Sequence, residues 1–191
     1  MTMPYDALSE VPDEALLTAF ANGDRASAQA LTVRLTPVVL GYATRLLGDR
    51  AEAEDVAQEA MLRLWRIAPE WRQGEAKVTT WLYRVVTNLC TDRLRKRRGT
   101  GLDEAPELAD DTPSIEARMI ERERINALDA ALAELPERQR QAVTLRHIEG
   151  LANPEIADIL DVSVEAVESL TARGKRSLAK RLAGRRDELG V

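Results

Sequence analysis

The side chains best placed to do chemistry in this sequence are cations, and their chemistry is the binding of phosphates and base edges. Between Arg173 and Arg186 lie seven basic residues and no acidic one. A second run, Arg93-Leu94-Arg95-Lys96-Arg97-Arg98, closes the segment that starts at Thr80. Catalytic constellations are missing. The single histidine, His147, leaves no His-rich metal site, and the single cysteine, Cys90, allows neither an intrachain disulfide nor a cysteine zinc cage. Cys90 reads as a small apolar filler. No P-loop or nucleophile elbow is present, so neither a catalytic residue, a metal site nor a cofactor is expected.

The C-terminal run belongs to a helix-turn-helix pattern. Pro154–Leu160 reads as a short helix, Asp161–Val162–Ser163 as a tight turn and Val164–Leu182 as a longer helix. Small Ala157 suits close helix approach; Ile156, Leu160, Val162 and Val167 fill the space between the helices, and Ser163 caps the second. Asp161 stands where glycine is common and tolerates a left-handed backbone. Lying in a major groove, the second helix would bring Arg173, Lys175 and Arg176 to phosphates or guanine edges. The alternative is a plain three-helix packing unit with a solvated basic end. Glu165 and Glu168, near the front of the helix, accept from cytosine but repel phosphate.

Two further segments stand out. Trp81, Leu82, Val85, Val86, Leu89 and Leu94 form one apolar stripe. With Trp71 and Tyr83 exposed beside it, the basic stretch would suit a single strand whose bases stack on rings. Equally, the tryptophans belong to the core and Arg93–Arg98 is a solvated helix end. The helix around Asp55–Arg66 has an acidic and amide rim over Val56, Ala60, Met61, Leu64 and Trp65. It reads either as a docking face for a basic helical partner or as a solvated face.

The elements that carry these residues are helical; period-two alternation is nearly absent. A first helix starts near Pro12 and stops at Asn22–Gly23. Arg25–Leu47 is a helical run that Pro37 is expected to kink or divide, with Gly48 ending it. Asp49 and Glu52 have capping-box spacing. Pro69–Thr79 is a loop, Gly99–Pro113 an acidic linker, and Thr112–Pro113 precede a helix reaching Leu135. Pro136 starts another helix, which ends at Gly150.

The net charge of −5 over 191 residues argues against nucleic acid only when taken as a mean. Residues 1–60 carry 4 basic and 10 acidic side chains, 61–98 carry 10 and 3, 99–137 carry 3 and 11, and 138–191 carry 10 and 8. Binding depends on local patches, and the patches alternate. No secretory signal and no apolar stretch near the ~20 residues of a membrane span is visible, so a cytoplasmic protein without membrane insertion is expected.

Three ordered motifs carry a family resemblance. Asp55-Val56-Ala57-Gln58-Glu59-Ala60-Met61-Leu62-Arg63-Leu64-Trp65 resembles the region 2 signature of bacterial RNA polymerase sigma factors. Thr80-Trp81-Leu82-Tyr83-Arg84-Val85-Val86-Thr87-Asn88 is similar to a segment of the extracytoplasmic-function (ECF) group. Leu135-Pro136-Glu137-Arg138-Gln139-Arg140, Glu149-Gly150-Leu151 and Glu155-Ile156-Ala157 resemble region 4.

The resemblance implies an all-α chain of two small domains: a region 2 bundle over 10–98 and a region 4 helix-turn-helix domain over 114–185, joined by an acidic flexible linker over 99–113. It implies a promoter-recognition subunit, not an enzyme, with core RNA polymerase and promoter DNA as partners and an anti-sigma factor as regulator. In the family, the segment with Asp55, Gln58, Glu59, Leu62 and Trp65 docks on the β′ coiled coil, and apolar residues of region 4 hold the β flap. Trp71, Arg72, Lys77, Arg84, Asn88 and Arg95 fall on the −10 surface, and the whole Arg93–Arg98 run on the DNA backbone. Ser163, Glu165, Ser169, Arg173, Lys175 and Arg176 fall on the −35 helix. Glu168, Leu170 and a mid-helix Gly174 depart from the family pattern, so −35 readout does not transfer residue by residue. A helix-turn-helix repressor or activator leaves the first two motifs unexplained; a sigma mimic that titrates an anti-sigma factor remains a rival.

Overall fold

The structure, a computed structural model, describes residues 8–72, 74, 77–100 and 116–189. Every regular element in them is helical. The N-terminal half holds α1 (Asp13–Ala21), α2 (Arg25–Leu47), α3 (Arg50–Ile67), a 3₁₀ turn (Ala68–Glu70) and α4 (Val78–Thr100). The C-terminal half holds α5 (Glu116–Ala133), α6 (Glu137–Val143), a π turn (Thr144–Ile148), α7 (Asn153–Leu160) and α8 (Val164–Leu189). No helix of the described residues is long and apolar enough to cross a membrane.

Local chemistry sets the helix ends. Asp24 accepts from the Ala26 N–H at 3.0 Å to open α2, and Asp49 accepts from the Glu52 N–H at 3.0 Å to open α3. Between them Gly48, at φ 66°, closes α2 in the left-handed region. Pro12 is the N-cap of α1 rather than its first residue.

Pro37 neither divides α2 nor ends it. Its ring lies on the exposed side. The buried stripe Leu31, Leu35, Val39, Tyr42, Ala43 and Leu46 runs past it on the other side. The intrahelical bond that proline removes therefore faces solvent, and tertiary packing holds the helix continuous.

Four sequence expectations shift. Pro69–Thr79 is not loop throughout, since Pro69 and Glu70 belong to the 3₁₀ turn and Val78 and Thr79 open α4. Gly99 and Thr100 extend α4 instead of opening the linker. The run from Pro136 is not one α-helix to Gly150 but α6 followed by a π turn. The last helix continues past Leu182 to Leu189. The rest of the expected linker and Thr112–Pro113 lie outside the described residues.

The two halves touch. Leu132, Leu135 and Val143 form a small core of the C-terminal half, flanked by Leu128, Ile148 and Leu178. Ile156, Leu160, Leu145 and Val167 instead join one continuous core with Leu82, Val86 and Cys90 of α4 and with the α1–α3 interior. Helix α7 packs on α4, and α5 on α2.

Candidate nucleic-acid and polymerase interface

On α3, Val56, Ala57, Ala60, Met61 and Leu64 are buried, which turns Asp55, Gln58 and Leu62 outward. Leu62 is 43% exposed, the reverse of what burial of an apolar side chain favours. It borders a groove of about 360 Å³ lined by Thr32, Thr36 and Leu40 of α2 with Gln58, Met61 and Trp65 of α3. Phe20 holds Trp65 edge-on, ring centroids 4.8 Å apart. Asp55 and Glu59 lie outside the groove. Asp55 stands 3.7 Å from Arg93, and Glu59 accepts from Arg63 at 2.8 Å, which holds its carboxyl below the usual range. The α2 side of the groove was not foreseen; its signal was the four-residue spacing of Thr32, Thr36 and Leu40.

On α4, Arg84, Asn88 and Arg95 fall on one helical face, and all are exposed. The expectation of exposed rings beside them does not hold. Tyr83 is buried, and Trp71 is half-buried against Trp81, centroids 6.2 Å apart and nearly perpendicular. The buried Tyr83 ring offers no open face for base stacking, and Trp71 keeps only part of its surface exposed. Arg72 and Lys77 are exposed in the preceding loop. The basic run divides. Arg95 stays outward, 3.6 Å from Asp92. Arg97 turns inward to Asp49 and Glu52 and donates to the Leu47 carbonyl at 3.2 Å. Arg98 pairs with Glu137. The whole run is therefore not a free backbone-binding strip.

The helix-turn-helix is built as the spacing indicates. Asp161 adopts φ 53° at the turn, and Ser163 Oγ accepts from the Ala166 N–H at 3.2 Å. Ser163, Glu165, Ser169, Arg173, Lys175 and Arg176 are all exposed, while Val167 and Gly174 face inward. Arg173 folds back, its guanidinium donating to Ser169 Oγ at 2.9 Å. Gly174 has a packing reason. A Cβ there would lie 2.5 Å from Val143 Cγ2 and 3.2 Å from the Gln139 carbonyl oxygen, so α8 crosses α6 at a distance only glycine permits. His147 is exposed on the π turn. Partial burial, then Lys175 and Arg146, push its pKa down.

Across the seam between the halves runs a polar set whose pairings spacing along the chain does not reveal. Tyr83 Oη donates to Glu149 at 2.6 Å, and Arg45 reaches the same carboxylate at 3.4 Å. Burial, then that hydrogen bond, raises the Tyr83 pKa. Thr91 donates to Glu137 at 2.9 Å, and Gln141 Nε2 to Thr91 at 3.1 Å. Lys77 donates to Glu155 at 2.9 Å; that bond, with one from the Ala152 N–H, lowers the Glu155 pKa. Among the described residues no group of three or more His, Cys, Asp and Glu is placed to hold a metal.

This fold and these surfaces define a two-domain helical protein with a helix-turn-helix, an apolar groove and an outward cationic strip. Comparison with known proteins gives the family. Sigma-70 region 2 matches residues 31–100, and Sigma-70, region 4 matches residues 125–178. The RNA polymerase sigma-H factor of Pseudomonas aeruginosa is 31% identical over 186 residues, covering 92% of this chain and 96% of the relative. The ECF RNA polymerase sigma factor SigW of Bacillus subtilis is 34% identical over 149 residues, covering 72% and 79%. The chain belongs to the ECF group of the sigma-70 family of RNA polymerase sigma factors.

Solved structures share the fold. CnrH in complex with the cytosolic domain of CnrY matches with a TM-score of 0.66 at 24% identity, over 90% of this chain and 97% of that one. The sigma factor RpoE in complex with the anti-sigma factor NepR from Bartonella quintana matches with a TM-score of 0.64 at 19% identity, over 81% and 96%.

Proposed function

We propose that this chain binds core RNA polymerase and directs it to promoters by contacting a −10 and a −35 element, with the polymerase supplying the chemistry in the cytoplasm. One observation carries the reading. A single domain offers both an apolar groove bordered by outward Leu62 and, on α4, the exposed strip Arg84, Asn88 and Arg95. A groove suits a partner helix; cations beside an amide suit a DNA backbone and an unstacked base.

Under this reading Asp55, Gln58, Glu59, Leu62 and Trp65 engage polymerase, and Arg72, Lys77, Arg84, Asn88 and Arg95 engage −10 DNA. Trp71 supports the loop through its contact with Trp81 rather than by stacking on a base. Ser163, Glu165, Ser169, Arg173, Lys175 and Arg176 face −35 DNA. Residues 10–98 and 114–185 act as the two binding units, with 99–113 as tether, and joining them raises the effective concentration of each at its element. An apolar face of the region 4 domain holds the polymerase flap. The CnrH and RpoE structures, each solved with a protein partner, support control by an anti-sigma factor.

The test is transcription by purified core polymerase on a library of promoter fragments, with and without this chain. Start-site-specific transcripts that require the chain are expected. Tight sequence-specific binding to duplex DNA without polymerase, and no initiation, would sink the reading; polymerase binding without initiation would make the chain a sigma mimic.

A further inference from the structure

We propose that Glu168 sets the base preference at the −35 element, and that the base it selects is a cytosine, read through its exocyclic amine in the major groove. The inference deepens the −35 reading above and rests on it.

A recognition helix meets base edges with its N-terminal residues, while later residues approach the backbone as the helix leaves the groove. From Val164 to Ala172, α8 carries no cation; Arg173, Lys175 and Arg176 follow only beyond it. At about 100° per residue, Glu165, Glu168, Ser169 and Ala172 share one arc about 100° wide. All four are exposed, and the arc faces away from buried Val167.

The other polar groups of these turns are already engaged. Ser163 Oγ caps the helix, accepting from the Ala166 N–H at 3.2 Å. The Glu165 carboxyl accepts from its own backbone N–H and from the Ser163 hydroxyl, which hold its pKa below the usual range. Ser169 Oγ accepts from Arg173 at 2.9 Å. Glu168 differs. Its helical neighbours three and four residues away are Val164, Glu165, Thr171 and Ala172, none of them a cation. Its side chain makes no ion pair or hydrogen bond among the described residues. Nor does the helix dipole account for it. An acid complements the dipole within the first turn, where Glu165 stands, and Glu168 lies past it.

The chemistry of a carboxylate names its base. Ionised, it accepts hydrogen bonds and donates none. In the major groove guanine shows two acceptors, thymine an acceptor and a methyl, and adenine an acceptor beside its amine. Cytosine alone shows a donor with no acceptor next to it, so it alone meets Glu168 without repulsion. Helical side chains lean toward the N-terminus, which carries this carboxylate toward the end of α8 that enters the groove. The same charge disfavours any register that sets it against a phosphate. Glu168 therefore selects by exclusion as well as by contact.

The experiment is transcription by core polymerase with the full-length chain on promoters randomised through the −35 element, with the enriched base read at every position. The wild type is expected to favour a C·G pair at one position by about tenfold. Glu168→Gln should move that position toward adenine, which glutamine reads through N6 and N7, and Glu168→Arg toward guanine, with the other positions unchanged. The side chain is exposed, so melting should move by no more than a few degrees. Should Glu168→Arg fail to fold, Glu168→Gln carries the test alone. An unchanged preference in the variants overturns the proposal, as does wild-type enrichment of another base at the position that shifts. A gain spread evenly over all sequences also overturns it, leaving Glu168 a repeller of phosphate and no reader of bases. If no fragment yields start-site-specific transcripts, the sigma reading falls instead. Selection of the same library as duplex by the chain alone then decides Glu168 by the same shifts, and no selection at all overturns both.

Discussion

Gly174 of α8 lies against Val143 of α6 so closely that an added Cβ would stand 2.5 Å from Val143 Cγ2. Glycine in a helix interior costs about 1 kcal/mol relative to alanine, so Gly174→Ala would be stabilising if propensity ruled. Contact rules here. Overpacking costs roughly 1–3 kcal/mol, and the backbone carbonyl of Gln139 cannot swing aside as a side chain can. Gly174→Ala is expected to lower the melting temperature of the region 4 domain by about 2–6 °C. Val143→Ala in the same chain should recover part of that loss; thermal denaturation of the double-mutant cycle reads the coupling.

Leu62→Asp tests the groove. The side chain is already exposed, so melting should move little. Polymerase affinity should fall by roughly tenfold or more, as for a central apolar contact. Fluorescence titration against core polymerase measures the second, calorimetry the first. Equal loss of fold and binding would remove Leu62 from the interface.

Asn88→Ala separates two steps. Asn88 is exposed on the α4 strip and away from the groove. Core binding is expected to stay within about twofold, while promoter opening, followed by permanganate reactivity of unpaired thymines, drops about tenfold, the scale of a lost base contact. Impairment of both to the same degree would count against a base-pocket role.

Arg173→Ala tests the −35 face. Its guanidinium is held by Ser169 at 2.9 Å and faces solvent. Transcription that depends on the −35 element should fall about tenfold, with polymerase affinity nearly intact. Promoters lacking that element should be unaffected, and their matched decline would reassign the residue.

Cys90 reports on folding through pH. Burial pushes its thiol up from 9.0 to about 12. The unfolded thiol ionises first as pH rises. The stability that this group contributes is therefore complete below about pH 9 and is lost progressively up to about pH 12. At pH 8 a thiol reagent should label the native chain far more slowly than the denatured one, with a rate that follows unfolding; rapid native labelling would contradict the packing of α4.

Much of this molecule was legible in sequence because its signals are local. The Asp49 cap, the Gly48 stop, the left-handed Asp161 and the outward face of α8 each depend on a few neighbouring residues, and each was readable from spacing. Pro37 misled because the rule about proline is local and the answer was not. The stripe from Leu31 to Leu46 on the opposite face keeps α2 one continuous helix.

Tyr83 shows where reading stops. Its position on α4 is legible in the sequence, its surroundings are not, and spacing alone leaves the ring free to stack on a base. It is covered by Tyr42, ring centroids 5.1 Å apart, and capped by Glu149 from 66 residues away. The inward turn of Arg97 and the pairing of Lys77 with Glu155 are of the same kind.

By itself, then, the sequence determined an all-helical chain, the family it belongs to and the outward faces of α3 and α8, since periodicity and capping act over one or two turns. Only the tertiary structure decided which faces meet. It placed glutamates 137, 149 and 155 against the donors of α4, divided the basic run between solvent and ion pairs, and gave Gly174 its reason. Hydrophobic pattern says that a face wants cover, but burial is non-directional and leaves the partner to be chosen by shape and charge across the fold.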